Sequence, residues 1–325
     1  MNSTERLLEV RGLKKFFKTK KGILHAVDNV SFDVHRGETL GLVGESGCGK
    51  STLGRVVIRL LDATGGQVFY NGEDILKYRG QKLWDLRRVA QIVFQDPYSS
   101  LNPRMSVSSL IAEPLEVNNI CKGAEKEARI RKLMDTVGLA QRLYNAYPHE
   151  LDGGRRQRIG IARALALEPE FIVLDEPVSA LDVCIQAQIL NLLIDLQEDM
   201  GYTYIFISHD LSVVKHISDR IAVMYLGCIV EMAGYQEIFD ATMHPYTKAL
   251  LSAIPIPKFG VKRERILLEG DVPSPINPPE GCRFAGRCHY KKDLCMRKTP
   301  ELREMASGHF VACHFAEELF EGRKN

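Results

Sequence analysis

The sequence has 325 residues, 45% hydrophobic and 26% charged, which is enough apolar content for a sizeable core and a length suited to roughly two domains. Its formal net charge is +2, with Lys and Arg scattered among Asp and Glu, so composition offers no basic face for nucleic acid or an anionic membrane surface. No run approaches the roughly 20 apolar residues of a membrane span: Ile221 to Val230 is short and holds Gly227, and Met1-Asn2-Ser3-Thr4-Glu5-Arg6 lacks the layout of a secretory signal, so the chain reads as cytosolic.

Short β-rich apolar runs alternate with longer helical patterns, which predicts an α/β fold with a largely parallel sheet. Thr39–Val43 reads as a strand that runs straight into Gly44-Glu45-Ser46-Gly47-Cys48-Gly49-Lys50-Ser51, with a helical run, Thr52–Leu61, behind it. The loop fits G-x-x-x-x-G-K-[ST] in its proper strand and helix context. Glycines there let successive backbone N–H groups turn onto phosphate oxygens, and the helix N-terminus adds partial positive charge. Lys50 is expected to reach the β- and γ-phosphates of ATP, Ser51 to ligate Mg²⁺, and Thr52 to continue the phosphate-binding set, while Cys48 acts as a small residue with no redox role.

Val89–Phe94 is the next expected strand and ends at Gln95. Strand signals then stop until about Ile161 and helical patterns such as Glu125–Val137 take over, which predicts a helical insert over about 96–160. Phe171–Leu174 reads as a buried strand ending in Asp175 and Glu176, placed where open α/β sheets present ligands. Asp175 suits the outer shell of Mg²⁺, and Glu176 suits the water that attacks the γ-phosphate. Further strands are expected at Tyr204–Ile207 and Ile221–Tyr225, and a helix at His244–Ala253. Beyond it Pro255, Pro257, Pro273, Pro275, Pro278 and Pro279 favour extended backbone, so a boundary is placed near Ile254, dividing 1–254 from an extension at 255–325.

The extension holds Cys282, Cys288, Cys295 and Cys313, apart from the scattered Cys48, Cys121, Cys184 and Cys228. Structural disulfides are not expected in a reducing cytosol. Four thiolates in a loop-rich segment suit tetrahedral Zn²⁺ or an iron–sulfur cluster, and their spacing matches neither the common C-x₂-C pairing nor the standard ferredoxin run. Reduced, unligated cysteines are the third reading.

Taken together, these motifs resemble the ATP-binding-cassette (ABC) ATPases, with the similarity covering nearly the whole chain. The resemblance implies a P-loop cassette with a mostly parallel sheet, an antiparallel edge and a helical subdomain, followed by a small cysteine-containing extension. It implies that Gln95 is the glutamine that senses Mg²⁺ or the attacking water. Ser179-Ala180-Leu181-Asp182 looks like the D-loop, His209 like the switch histidine on the γ-phosphate, and Phe17 like the aromatic that stacks on adenine. Val43–Gly54, Ile92–Arg104, Asp175–Asp182 and His244–Ser252 are most similar to ATPases of dipeptide and oligopeptide importers, in particular to the second ATPase of such a pair. That likeness implies a second ABC ATPase, two membrane permease subunits, an extracytoplasmic substrate-binding protein and a place on the cytoplasmic side of the membrane. It also favours a [4Fe–4S] cluster over zinc, in a structural role, because the four cysteines lie far in sequence from the nucleotide motifs. Importers of nickel or other small solutes are the alternative. Soluble ABC proteins of translation or DNA repair carry paired cassettes or long coiled coils that this sequence lacks.

One motif departs from the family. Leu-Ser-Gly-Gly-Gln is replaced by Leu151-Asp152-Gly153-Gly154-Arg155, a segment that in the family opens a helix and covers the γ-phosphate of ATP held by the other subunit. Asp152 either repels that phosphate, giving an asymmetric heterodimer with one poorer site, or merely caps the helix with Arg155 or Arg156 offsetting its charge.

Overall fold

The structure is a computed structural model, and it describes residues 5–254, 266–268, 270 and 272–321. Met1–Thr4, Pro255 and Pro257 therefore lie outside the described residues. The contacts of the described residues form two compact units, one holding His35–Glu38 and Lys77–Ile207, the other Arg6–Val34, Thr39–Leu76 and the described residues from Ser208 onward.

In the second of these, Arg6–Thr19 lies between Gly22–His35 and Gly65–Tyr70, with Glu73–Asp74 completing a four-stranded sheet. Leu8, Val10 and Leu13 are buried along the central strand, and Val10 pairs antiparallel with Val68. A second group of strands runs in the order Arg303–Ala306, His309–Val311, Cys228–Gly234, Arg220–Tyr225, Thr39–Val43. Thr39–Val43 and Arg220–Tyr225 are parallel, and the remaining pairs in this group are antiparallel. The C-terminal extension thus adds two strands to the strand group that leads into the Gly44 turn, through Met232 opposite Phe310. Its junction holds a buried hydrogen-bonded pair: Glu231 Oε1 lies 2.8 Å from His309 Nε2, and the carboxylate accepts the Met243 N–H at 2.7 Å and the His244 N–H at 3.1 Å. A buried carboxylate this fully bonded fixes how the last strands join the sheet.

The other unit holds Ala90–Val93, Phe171–Asp175 and Thr203–Ser208 up to Ile207 as neighbouring parallel strands, with Ile92 opposite Val173 and Val173 opposite Ile205. Every residue of Phe171–Asp175 is buried, as expected for a parallel strand covered on both faces. No strand occurs among the described residues from 96 to 170, and the helices Val107–Val117, Gly123–Thr136 and Gly153–Leu165 pack there on one another. Their contact rows are apolar at helical spacing: Leu110, Ile111 and Leu115; Ile130 and Met134; Ile159, Ala162 and Leu165. Side-chain carboxylates and hydroxyls start the helices where backbone N–H groups lack partners. Ser106 caps the first of these helices, Asp152 the third, and Asp182 caps Val183–Met200.

Candidate nucleotide site and the four-cysteine segment

The Gly44–Ser51 loop turns where side chains cannot follow. Gly49 sits at φ +103°, and a Cβ there would lie 1.9 Å from the Ala26 carbonyl oxygen; one on Gly44 would lie 2.1 Å from that of Met224. The strand Gly22–His35 and the strand ending at Tyr225 thereby hold the loop from both sides, with Gly227 N–H donating to Cys48 O at 2.9 Å. Lys50 is buried, and its ammonium donates to Gly44 O at 2.8 Å and Glu45 O at 3.1 Å, so the cation is kept inside the turn. The helix begins at Lys50 and ends at Val57, shorter than the sequence pattern to Leu61. Burial pushes the Cys48 thiol above its usual range, which leaves it protonated beside Lys50.

The other unit gathers Gln95 and the two acids. Asp175 is completely buried at the end of its strand. Glu176 takes φ +47°, a left-handed backbone that is costly for a residue with a side chain, and its N–H is fixed to Ile207 O at 3.0 Å. This turn aims the carboxylate at Gln95, whose Nε2 donates to Glu176 Oε2 at 2.9 Å. Ser179 Oγ donates to the Glu176 carbonyl at 3.1 Å, tying the D-loop to the same residue. Asp182 accepts the Ile185 N–H at 3.1 Å, and Leu181 accepts from Gln186 Nε2 at 2.9 Å.

Leu151 is buried, and Asp152 follows as the cap of Gly153–Leu165. One Asp152 oxygen accepts the Arg155 N–H at 2.8 Å and the other lies 3.4 Å from Arg155 Nε. The two glycines have a reason that the sequence did not reveal. A Cβ on Gly153 would come within 3.0 Å of Leu181, and one on Gly154 within 2.6 Å of Ile185, so the signature helix starts against this chain's own D-loop.

His209 is exposed after the strand Thr203–Ser208 and belongs to the unit of the Gly44 loop, as does Phe17, which carries the Lys15 ammonium 4.7 Å over its ring. The neighbouring Phe16 stacks on His25 with ring centroids 4.1 Å apart.

Cys282, Cys288, Cys295 and Cys313 line a single small cavity, with His244 and Phe284 in its wall. Cys282 N–H donates to Cys295 O at 2.7 Å. Burial, with a smaller contribution from the other cysteines, pushes the Cys282 thiol up to about 12, and burial also raises Cys288 and Cys313. Among the described residues no three His, Cys, Asp or Glu side chains converge closely enough to hold one metal ion. The segment also does something its distance in sequence concealed: Arg287, next to Cys288, donates to both Glu45 carboxylate oxygens, at 2.9 and 3.1 Å, inside the phosphate loop. Tyr246, in the helix Pro245–Ser252, accepts the Glu45 N–H at 3.0 Å. Sequence reasoning named neither residue as functional. Tyr246 fell within a stretch that carried the family likeness, and nothing local marked Arg287.

The sequence profile of the ABC transporter family matches residues 27–179, and that of the oligopeptide/dipeptide transporter C-terminal region matches residues 230–295. The chain is 52% identical over 320 residues to the oligopeptide transport ATP-binding protein AppF of Bacillus subtilis, covering 95% of this chain and 97% of that one. The chain belongs to the ABC transporter ATP-binding proteins. The oligopeptide transport ATP-binding protein OppF of the same organism is 52% identical over 316 residues, covering 97% and 98%. Among solved structures, the dimeric post-hydrolysis state of the ATP-binding cassette MJ0796 bound to ADP and phosphate matches with a TM-score of 0.65 at 29% identity, over 70% of this chain and 98% of that one. The cassette cbiO1 of Clostridium perfringens, from the transporter complex cbiONQ, matches with 0.64 at 28%, over 73% and 92%. As an ABC ATPase this chain hydrolyses ATP to drive transport. No helix among its described residues is long and apolar enough to cross a membrane.

Proposed function

We propose that this chain energises the import of di- or oligopeptides, working at the cytoplasmic face of the membrane. The observation that carries the solute class is the near full-length identity to AppF and OppF, joined to the C-terminal region match at 230–295. It pairs with a second ATPase on two permease subunits fed by an extracytoplasmic binding protein. Within the chain, Lys50 and the loop amides bind the phosphates, and Phe17 carries the adenine. Ser51 would ligate Mg²⁺, Asp175 and Gln95 are the other residues assigned to that ion, and the cation would supply neutralisation of the phosphate charge. Glu176 orients and deprotonates the attacking water, and Gln95, already bonded to it at 2.9 Å, keeps the carboxylate on station until nucleotide arrives. His209 holds the γ-phosphate.

The pair is asymmetric: this chain's intact loop, Glu176 and His209 work against the partner's signature, while its own Asp152 faces the partner's ATP. The family likeness favours a [4Fe–4S] cluster, which Cys282, Cys288, Cys295 and Cys313, lining one small cavity, would hold. Zn²⁺ is the alternative occupant of the same four thiolates. Co-purification tests the assignment: the tagged chain brings down two permeases and a different ATPase, and reconstituted complex hydrolyses ATP faster with peptide-loaded binding protein. Stimulation by nickel or another small solute and not by peptide would refute the solute class.

A further inference from the structure

Seven consecutive residues, Cys282 to Cys288, anchor the extension at three points, one on the phosphate loop itself and two on the elements beside it. Arg287 is 9% exposed in its side chain and bonds the Glu45 carboxylate. Phe284 is buried against Tyr225 and Tyr246, with ring centroids 5.3 and 5.4 Å away, and the Tyr246 hydroxyl holds the Glu45 N–H. Arg283 pairs with Asp28, on the strand that abuts the loop, and Asp28 N–H donates to Gly227 O at 2.8 Å. The two ends of the segment are cysteines of the shared cavity.

Glu45 is the one carboxylate in the Gly44–Ser51 loop. A carboxylate on a loop that takes a polyphosphate repels its ligand unless a cation offsets it, and the cation bonded to this carboxylate is Arg287. We propose that Arg287 is a positioning residue for ATP: it neutralises Glu45 and holds the phosphate loop in its binding shape, so that the state of the four-cysteine segment sets nucleotide affinity. Losing the order of that segment frees Arg287, exposes the Glu45 charge to the phosphates and loosens the loop together. The proposal rests on the chain's being an ATPase and is independent of the solute carried.

The test is equilibrium binding of fluorescent Mg-ATP and Mg-ADP analogues to the purified full chain, with thermal melting as the control for folding. Arg287→Met weakens ATP binding by about tenfold and ADP binding by less, since the γ-phosphate brings the additional charge. Adding Glu45→Gln to Arg287→Met restores ATP affinity to within about twofold of the parent, because the uncancelled charge is gone. A double variant as weak as Arg287→Met, or an Arg287→Met protein that binds ATP like the parent, overturns the proposal. Should Arg287→Met fail to fold, Arg287→Gln with and without Glu45→Gln makes the same comparison, since the amide keeps a hydrogen-bond donor and removes the charge. Cys288→Ser weakens ATP in the parent and adds nothing in Arg287→Met; additive losses would refute the link to the cysteine segment. A parent chain that binds no ATP would instead contradict the ATPase assignment.

Discussion

Replacing Asp152 by serine removes one negative charge from the start of the helix Gly153–Leu165 while leaving an acceptor for its cap. A carboxylate about 4 Å from a phosphate charge costs about 4 kcal/mol at an effective dielectric of 20 and about 1 kcal/mol in water. Two features bring the value toward the lower limit. The Asp152 side chain is 58% exposed, and its oxygens are occupied by the Arg155 N–H at 2.8 Å and Arg155 Nε at 3.4 Å. The remaining repulsion is about 1 kcal/mol, or roughly fivefold in the partner's ATP affinity. The assay is steady-state hydrolysis by the assembled transporter carrying Glu176→Gln in this chain, so that the partner's site supplies the turnover. Asp152→Ser then lowers KM for ATP about fivefold, with the melting temperature of the chain unchanged. Equal KM and equal turnover would refute the asymmetric pair and leave Asp152 as a helix cap alone.

In the isolated site, Glu176→Gln lowers ATP turnover by about a hundredfold or more with ATP affinity within a few-fold of the parent, as single-turnover and binding measurements will read; unchanged turnover removes Glu176 as the base. Purified anaerobically, the chain is brown, absorbs near about 400 nm and carries about four irons, and a colourless protein with stoichiometric zinc would contradict the cluster. His244 tests burial. Desolvation lowers its pKa from 6.5 to about 4, and its Nδ1 accepts the Tyr246 N–H at 3.1 Å, which requires the neutral ring. A folded pKa below the unfolded one means that this stability is fully present above pH 6.5 and is lost as pH falls toward 4, by about 3 kcal/mol. Denaturant melts at pH 7 and 4.5 give a smaller loss for His244→Asn than for the parent; parallel losses would rule the ring out.

The legible part of the fold was what buries itself locally. Thr39–Val43 matches its expected limits, and Phe171–Asp175 extends the expectation by one residue, because fully covered parallel strands read as unbroken apolar runs. Arg6–Thr19 and Gly22–His35 escaped because they are half-buried and interleaved with charge: Val10 and Leu13 point inward while Arg11 is exposed. Arg303–Ala306 and His309–Val311 are too short and polar to announce themselves, and become strands by pairing with Cys228–Gly234.

The sequence alone determined the phosphate loop, the acid pair and the family, because each is a run of neighbours whose spacing already dictates its chemistry. Tertiary structure alone decided what surrounds them. It joined Gln95 to Glu176 across 81 positions and Arg287 to Glu45 across 242, and it set Gly153 against Leu181. Such contacts depend on which strands become neighbours, a property of the whole buried core that no local spacing encodes. The four cysteines mark that divide: their number was plain in the sequence, and only the fold brought their segment to the nucleotide loop.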